Sequence, residues 1–378
     1  MRLALLIVAV PVLAGAKPLP AGLEIGVVHK HLTASAGGES VALSDHDVDK
    51  LGSVALSADG KQLEIAATFC SGMFGSIDDG PLDYPLAPIQ AQLENLAGMR
   101  AHLKKKYADA IPHFAAAAKL DPATALYATN LLSAQAMAGK LADADHTLAT
   151  YAPNNLPWFA WRLQVDSDLK ALRGRPSTKL LAAPRRGRAR SKLARLPAAR
   201  ILYSPLGLAA TELEYNMYDG IPDGSGDFQL VIVDLKTGKE LLTLPTESTC
   251  AVDMEKAMAG DADPPPADKK CAAKEAAAAV PRRKVADELL ATLGFEAAGV
   301  TVDDSKKELV APDGRKLVFD TLTFTKGKKS KQVKIDSRGF DYAFVPGALV
   351  VVTRDGKTVK NCDADGSYRL QLAAIADP

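Results

Sequence analysis

Imidazole and carboxylate side chains, which bind zinc and other divalent ions, cluster near the start of the chain. His29 and His31 are one residue apart, so on a strand both rings would lie on one face. Asp45–Asp47 and Asp49 follow in a polar stretch. The HExxH pattern of a helical zinc site is absent from the sequence. Scattered surface histidines explain the pattern better than a metal site, and we predict no metal ligands and no cofactor.

Two aspartate-rich loops could hold calcium through alternate carboxylates. They are residues 219–227 and 361–365. An EF-hand loop needs a bidentate glutamate at its twelfth position, and counting from Asn361 that position is Leu372. Asp-Gly pairs are common in hairpin turns, so we interpret both loops as turns.

Motifs that carry catalysis are absent from the sequence. It contains no GxSxG nucleophile motif, no GxGxxG fingerprint and no GxxxxGK[ST] phosphate loop. Because catalytic groups can lie far apart in sequence, this absence is only weak evidence. We predict no enzyme, and the alternative is a metal-binding or hydrolytic domain in the C-terminal half.

The four cysteines fit disulfide bonds better than thiol chemistry or zinc, because no CxxC or CxxH pair exists. Cys250 and Cys271 bracket a proline-rich stretch, and we predict that they pair. Closing a loop of that size would stabilise the fold by ~3 kcal/mol. Cys70 would then pair with Cys362. The alternative is four reduced, partly buried thiols.

The N-terminus has the pattern of a secretory signal peptide over residues 1–16. Arg2 is basic, Leu3–Val12 is apolar, and Ala14–Ala16 fits signal peptidase. A membrane anchor is the alternative, although the apolar run is shorter than the ~20 residues of a spanning helix. We predict export to the periplasm or the cell exterior and no transmembrane segment in the mature chain. The net charge of +1 gives no indication of nucleic-acid binding.

The best-defined elements are helical hairpins in the middle of the chain. We predict three, with helices at Ile89–Leu103 and Tyr107–Lys119, Thr124–Ala138 and Leu141–Tyr151, and Trp158–Leu172 and Ser177–Leu181. Asp121-Pro122 separates the first two, because proline is tolerated in the first turn of a helix but not in its interior.

Small and large apolar residues recur in these hairpins, and they identify the packing positions. Those positions are Gly98, Tyr107, Ala110, Phe114, Ala117 and Pro122, then Leu131, Gly139, Ala144 and Leu148. A shift of about 34 residues places Gly139, Ala144 and Leu148 on Lys105, Ala110 and Phe114. The pattern resembles the tetratricopeptide repeat. The resemblance implies stacked helical hairpins that bind other proteins and perform no chemistry themselves.

In such repeats the first helix of each hairpin lines a binding groove. The groove residues would be Asn95, Met99, His102, Thr129, Asn130 and Ser133. Some family members hold a terminal carboxylate there with Lys, Arg and Asn, and only Asn130 matches that set. We therefore predict a mildly polar groove for an extended or helical peptide.

The remaining chain predicts flanking β structure. Residues 17–80 form a small β or mixed segment with a hairpin at Asp59-Gly60. Residues 78–88 are a proline- and aspartate-rich linker, and the helical domain covers 85–183. A basic linker follows at 184–200. Residues 201–378 form a β-rich domain of one or two antiparallel sheets with a helical pair, Cys271–Ala279 and Arg282–Leu293.

Together these patterns predict an α+β protein, with a short tetratricopeptide-like helical array and a β-rich C-terminal domain. Its expected function is that of an exported scaffold or adaptor of the bacterial envelope. It would bind a protein partner, whose identity the sequence does not give.

Overall fold

The computed structural model describes residues 17–72, 75–181, 201–215, 227–247, 269–298, 308–319, 321–333, 341–354 and 370–378. The fold is α+β with antiparallel sheets, as the sequence predicts. The described residues up to Asn154, together with Asp166–Ser177, form the first compact unit. Asn155–Val165 and the described residues from Thr178 onward form the second.

The first unit begins with an antiparallel sheet whose strand order follows the chain. Its strands are β1 (Glu24–Val28), β2 (His31–Ala36), β3 (Glu39–Leu56), β4 (Gln62–Gly72) and β5 (Gly75–Pro85). The first part of β3 pairs with β2 and the second part with β4. Leu56 pairs with Leu63 across the turn that contains Gly60, which confirms the predicted Asp-Gly hairpin.

The predicted linker over residues 78–88 is wrong. Its first part belongs to β5, which pairs with β4 from Gln62 to Gly72. Leu82 and Tyr84 of this strand pack against the buried core of the sheet. Proline is tolerated on an edge strand, where one side of the backbone needs no ladder bond, so the proline content did not exclude a strand.

Helices follow the sheet directly. They are α1 (Leu86–Leu103), α2 (Tyr107–Leu120), α3 (Ala125–Met137), α4 (Leu141–Tyr151) and α5 (Leu156–Val165). The first four match the two predicted hairpins to within three residues. Leu86, Ile89 and Leu93 of α1 join the core of the sheet. One face of α1 therefore packs on the sheet and another is left for α2 and α3.

The third predicted hairpin does not form. After α5 the chain makes two 3-10 helices, Ser167–Leu172 and Pro176–Leu181. Asp166 has an extended backbone, and its carboxylate accepts a hydrogen bond from the backbone N–H of Asp168 at 3.0 Å. This cap starts a new turn and ends the preceding helix.

The second unit contains three antiparallel sheets among its described residues, not the one or two predicted. The first has strand order β10-β6-β7-β8-β9, with β6 (Leu202–Ser204), β7 (Leu208–Tyr215), β8 (Asp227–Asp234), β9 (Glu240–Glu247) and β10 (Glu296–Ala297). The second contains β11 (Glu308–Val310), β12 (Arg315–Val318), β13 (Thr323–Lys326) and β14 (Lys329–Gln332). The third contains β15 (Asp341–Val345), β16 (Ala348–Arg354) and β17 (Leu370–Ala376).

The three-stranded sheet is the middle layer of this unit. Ala348, Val350 and Val352 of β16 share a core with the five-stranded sheet. Leu349 and Val351 lie in a second core with the four-stranded sheet. Because both faces are buried, β16 is a continuous apolar run instead of an alternating one.

The predicted helical pair near residue 280 is one continuous helix, α6 (Lys269–Thr292), with Pro281 inside it. Ala286, Leu289 and Leu290 of α6 are buried. The helix packs on β9 and on α5. This packing and the alanine-rich first half favour a continuous helix despite the N–H that proline lacks.

Some predictions fall on residues outside the described part of the chain. These are the signal peptide (1–16), the basic linker (184–200), and the side chains of Cys70, Cys250, Cys271 and Cys362. Among the residues that are described, no helix has both the length and the apolar character to cross a bilayer.

Candidate protein-binding site

The six predicted groove residues lie among packed helices. Asn95, Thr129 and Ser133 are buried. The Asn130 side-chain amide donates to Oδ1 of Asn95 at 2.7 Å, and Met99 packs against the cluster between α2 and α3. These side chains face other parts of the same unit, so most of them have little surface to offer a partner.

His102, the sixth groove residue, contacts a segment that returns to this unit after α5. Its Nε2 lies 3.0 Å from a carboxylate oxygen of Asp168. The ring also makes edge contacts with Tyr107 and Phe114. Asp168 belongs to the 3-10 helix Ser167–Leu172, which packs on α3. The chain itself therefore covers part of the predicted groove face.

A second contact fastens this segment to α4. Nε of Arg175 lies 3.0 Å from both carboxylate oxygens of Asp145, and the Ser177 hydroxyl donates to the same carboxylate. The hydrogen bonds from Arg175, and then those from Ser177, hold the pKa of Asp145 below its usual range. A bidentate arginine–carboxylate pair fixes geometry as well as charge, so residues 166–177 are held at both ends.

Most of the predicted packing positions are buried, whereas Pro122 is exposed and Tyr107 is half-buried. Ala110, Phe114, Ala117, Ala144 and Leu148 are buried, and Gly98 lies against Phe114. Gly139 lies in the turn between α3 and α4 with a φ of +73°. Small residues thus occur where helices approach closely, and large ones fill the space between hairpins.

An open cleft lies elsewhere on the first unit, between the β2–β3 turn and the helices α1 and α2. Its volume is about 430 Å³. The lining residues are Ala36 and Gly37 from the turn, Leu93, Glu94, Ala97, Arg100, Ala101 and Lys104 from α1 and its C-cap, and Lys106, Asp109 and His113 from the N-cap and body of α2. The floor is apolar and the rim is charged, the usual character of a binding cleft.

Two polar contacts shape the walls of this cleft. Arg100 pairs with Glu39 of β3 and donates to the carbonyl oxygen of Gly37 at 3.2 Å, which joins the β2–β3 turn to α1. On the other wall, Nδ1 of His113 lies 2.7 Å from a carboxylate oxygen of Glu94. Both walls are therefore fixed by contacts between different elements.

The turn between α1 and α2 places lysines at the rim. Lys104 and Lys106 are exposed and form no ion pair with any residue that the structure describes. Lys105, between them, has a φ of +60°. The N–H of Lys106 bonds to the carbonyl of Ala101, and the N–H of Lys105 bonds to that of His102. This pair of bonds is a Schellman cap, in which glycine is the usual left-handed residue.

Comparisons of the chain with protein-family models, with curated proteins and with solved structures find no match. Within the described ranges, no group of three His, Cys, Asp or Glu side chains comes close enough to hold a metal ion. The charged cleft remains as the candidate site.

No motif in the sequence marks this cleft. Its only local signal was the run of three lysines at residues 104–106, between two predicted helices. The other wall comes from the β2–β3 turn more than 60 positions earlier, and the sequence pattern gives no indication of that proximity. Sequence patterns find helices well, but they do not show which loop packs against them.

Proposed function

We propose that this chain is a non-enzymatic scaffold that binds another protein through its tetratricopeptide-like helical hairpins. We also propose that it is exported, through the signal-peptide pattern at residues 1–16, and that its partner is a protein of the bacterial envelope. The observation that carries the binding proposal is the open cleft at the first hairpin. Its volume, about 430 Å³, suits side chains of a peptide segment.

The packing of α1–α4 supports the scaffold part of this proposal. Helices with alanine and glycine at their contacts approach closely, and they form a rigid platform with few exposed apolar side chains. A rigid platform loses little conformational entropy when a partner binds. Such a surface is suited to recognition and needs no catalytic group.

The cleft serves this function better than the predicted groove does. Asn95, Thr129 and Ser133 are buried, and residues 166–177 pack beside them. In contrast, Lys104, Lys106 and Asp109 are exposed at the cleft. The alternative, a metal-binding or hydrolytic domain in the C-terminal half, has no cluster of potential metal ligands in its favour among the described residues.

Site-specific photocrosslinking tests this proposal. A photoreactive amino acid would replace Ala97 or Ala101, two small residues of the cleft lining, in the full chain. Matched chains would carry it at Ala149, an exposed position of α4. After irradiation in an envelope extract, we expect one discrete protein adduct from the cleft positions and none from Ala149.

Two outcomes would contradict the proposal. Equal labelling from all three positions would indicate nonspecific contact, and labelling from Ala149 alone would move the binding surface to α4. Circular dichroism and the melting temperature of each chain would establish that the substitutions leave the fold intact.

A further inference from the structure

We infer that the cleft binds a segment of the partner protein that carries several acidic side chains. This inference rests on the proposed function, since it specifies the chemistry of the partner at the same site. Two lysines of the cleft lining, Lys104 and Lys106, form no ion pair with any described residue. Carboxylates on an extended peptide are the groups that complement them.

The charges of the cleft are divided into paired and unpaired groups. Arg100 is engaged with Glu39 and with the Gly37 carbonyl, and Glu94 lies beside His113. Those groups hold the walls together. Lys104, Lys106 and Asp109 make no ion pair in the described ranges, so the unpaired charge of the lining is positive, with two lysines against one aspartate.

The turn that carries these lysines has a left-handed backbone at Lys105. A left-handed conformation is unfavourable for a residue with a Cβ, and glycine is the usual residue at this position of a Schellman cap. Gly139 has the same role in the turn between α3 and α4, where the Lys140 N–H bonds to the Gln135 carbonyl. In the first hairpin this turn places Lys104 and Lys106, the residues on either side of Lys105, in the lining of the cleft.

An exposed apolar side chain precedes these lysines in the chain, outside the cleft lining. Leu103, at the end of α1, is 75% exposed. It is three residues from Arg100, so the two side chains are neighbours on the helix surface. A partner segment that alternates acidic and apolar residues could contact Leu103 and the lysines together.

The other charges of the site favour a peptide over a nucleic acid. Glu94 and Asp109 line the same cleft as Lys104 and Lys106, so the lining has mixed charge, whereas a phosphate backbone carries negative charge only. The chain as a whole has a net charge of +1, which gives no long-range attraction for polyanions. A peptide carries donors that these carboxylates can bind, as well as acids for the lysines.

Binding of a labelled probe peptide to the full chain tests this inference. The probe is a fluorescein-labelled octapeptide that alternates Glu and Leu, and its counterpart alternates Lys and Leu. We expect fluorescence anisotropy to show binding of the Glu peptide only. Raising the salt concentration should weaken that binding, because exposed charges are then screened.

Charge reversal at the rim locates the binding. Lys104→Glu/Lys106→Glu should weaken binding of the Glu peptide by about tenfold or more. The matched control is Lys119→Glu/Lys140→Glu, which reverses the same charge at exposed positions outside the cleft lining. This control should retain its affinity, and both variants should melt within a few degrees of the parent chain.

Several results would overturn the inference. They are equal binding of the two peptides, equal loss in both variants, binding that is insensitive to salt, or tighter binding of a labelled single-stranded oligonucleotide that depends on Lys104 and Lys106. The two proposals can fail separately. A photocrosslinked partner whose binding survives Lys104→Glu/Lys106→Glu would leave the scaffold function intact and would refute an acidic ligand. Binding of the Glu peptide without a crosslinked protein would refute the scaffold function alone.

Discussion

Gly98 of α1 lies directly against the ring of Phe114 in α2. A Cβ placed on Gly98 would be 2.6 Å from two carbons of that ring, well inside van der Waals contact. Because Phe114 is fully buried, the ring has little freedom to move away. The absence of a side chain at residue 98 is what allows α1 and α2 to pack at this distance.

Gly98→Ala should therefore destabilise the first unit. Overpacking costs about 1–3 kcal/mol, and the better helix propensity of alanine recovers up to ~1 kcal/mol. We expect a net loss of ~1–2 kcal/mol in a urea unfolding experiment. In Gly98→Ala/Phe114→Leu the loss should be smaller than the sum of the two single changes, whereas strict additivity would show that the two residues are not in contact.

Phe114→Ala should have a larger effect. It removes a buried aromatic side chain and leaves a cavity between α1, α2 and α3, at a cost of ~3–5 kcal/mol. Leu103→Ala is the matched control, because that side chain is exposed and its removal should change the stability by no more than ~0.5 kcal/mol. An unchanged melting temperature for Phe114→Ala would refute the buried position of the ring.

The two hairpin turns predict opposite responses to substitution. Lys105→Gly relieves a left-handed backbone and should stabilise the protein by ~1 kcal/mol. Gly139→Ala introduces the same strain and should destabilise it by a similar amount. The melting temperatures of both variants, compared with that of the parent chain, measure these two changes in stability. Shifts of the same sign in both would indicate that the left-handed conformation does not decide stability at these turns.

Asp145 should make stability depend on pH. The hydrogen bonds from Arg175 and Ser177 lower the pKa of this carboxyl in the folded protein. The ionised Asp145 therefore contributes fully to the free energy of unfolding above the unfolded-state pKa, about 4. That contribution is lost as the pH falls through the lower folded-state pKa. Asp145→Asn should reduce the melting temperature at neutral pH, and the difference from the parent chain should shrink at about pH 3.

The neighbouring Asp143 provides the control for that experiment. It is exposed in the same helix, and Asp143→Asn should lower the melting temperature less at neutral pH. A constant difference between Asp145→Asn and the parent chain from neutral to acidic pH would contradict the pairing with Arg175.

Arg315 should be among the most sensitive residues of the second unit. It is buried on β12, and its Nη1 donates to the carbonyls of Val345 and Ala348 at 2.6 and 3.2 Å. It also pairs with Asp313 and Asp377. Arg315→Ala leaves these groups without their donor and should cost ~3–5 kcal/mol. Lys326→Ala removes a half-exposed partner of Asp377 and should cost ~1 kcal/mol or less in the same unfolding assay.

Local signals in the sequence identified the helices well. The apolar spacing and the turn residues of α1–α4 are properties of short segments, so their bounds could be predicted. The end of α5 could not be predicted, because it depends on the Asp166 side chain accepting a hydrogen bond from the backbone N–H of Asp168. Apolar periodicity gives no indication of that bond. Strand β5 could not be predicted because its prolines are also typical of a linker. They are tolerated here because β5 is an edge strand of its sheet.

The candidate site could be predicted only in part. The groove residues were chosen by analogy with an open array, and the sequence did not show that residues 166–177 pack beside them. The cleft depends on Arg100 meeting Glu39, a contact between residues distant in the chain. Such a long-range contact depends on how whole helices and strands pack, and local sequence patterns do not predict that packing.

The middle sheet of the second unit also sets an order of events during synthesis. Its strand β17 is made of Leu370–Ala376, and every residue of it pairs with β16. The apolar run of β16 leaves the ribosome earlier, and its edge opposite β15 stays unpaired until those residues emerge. The first unit has all its residues once Ser177 has emerged, so it can fold before the strands of this sheet are made. Chaperone demand during biogenesis should therefore fall mainly on the second unit.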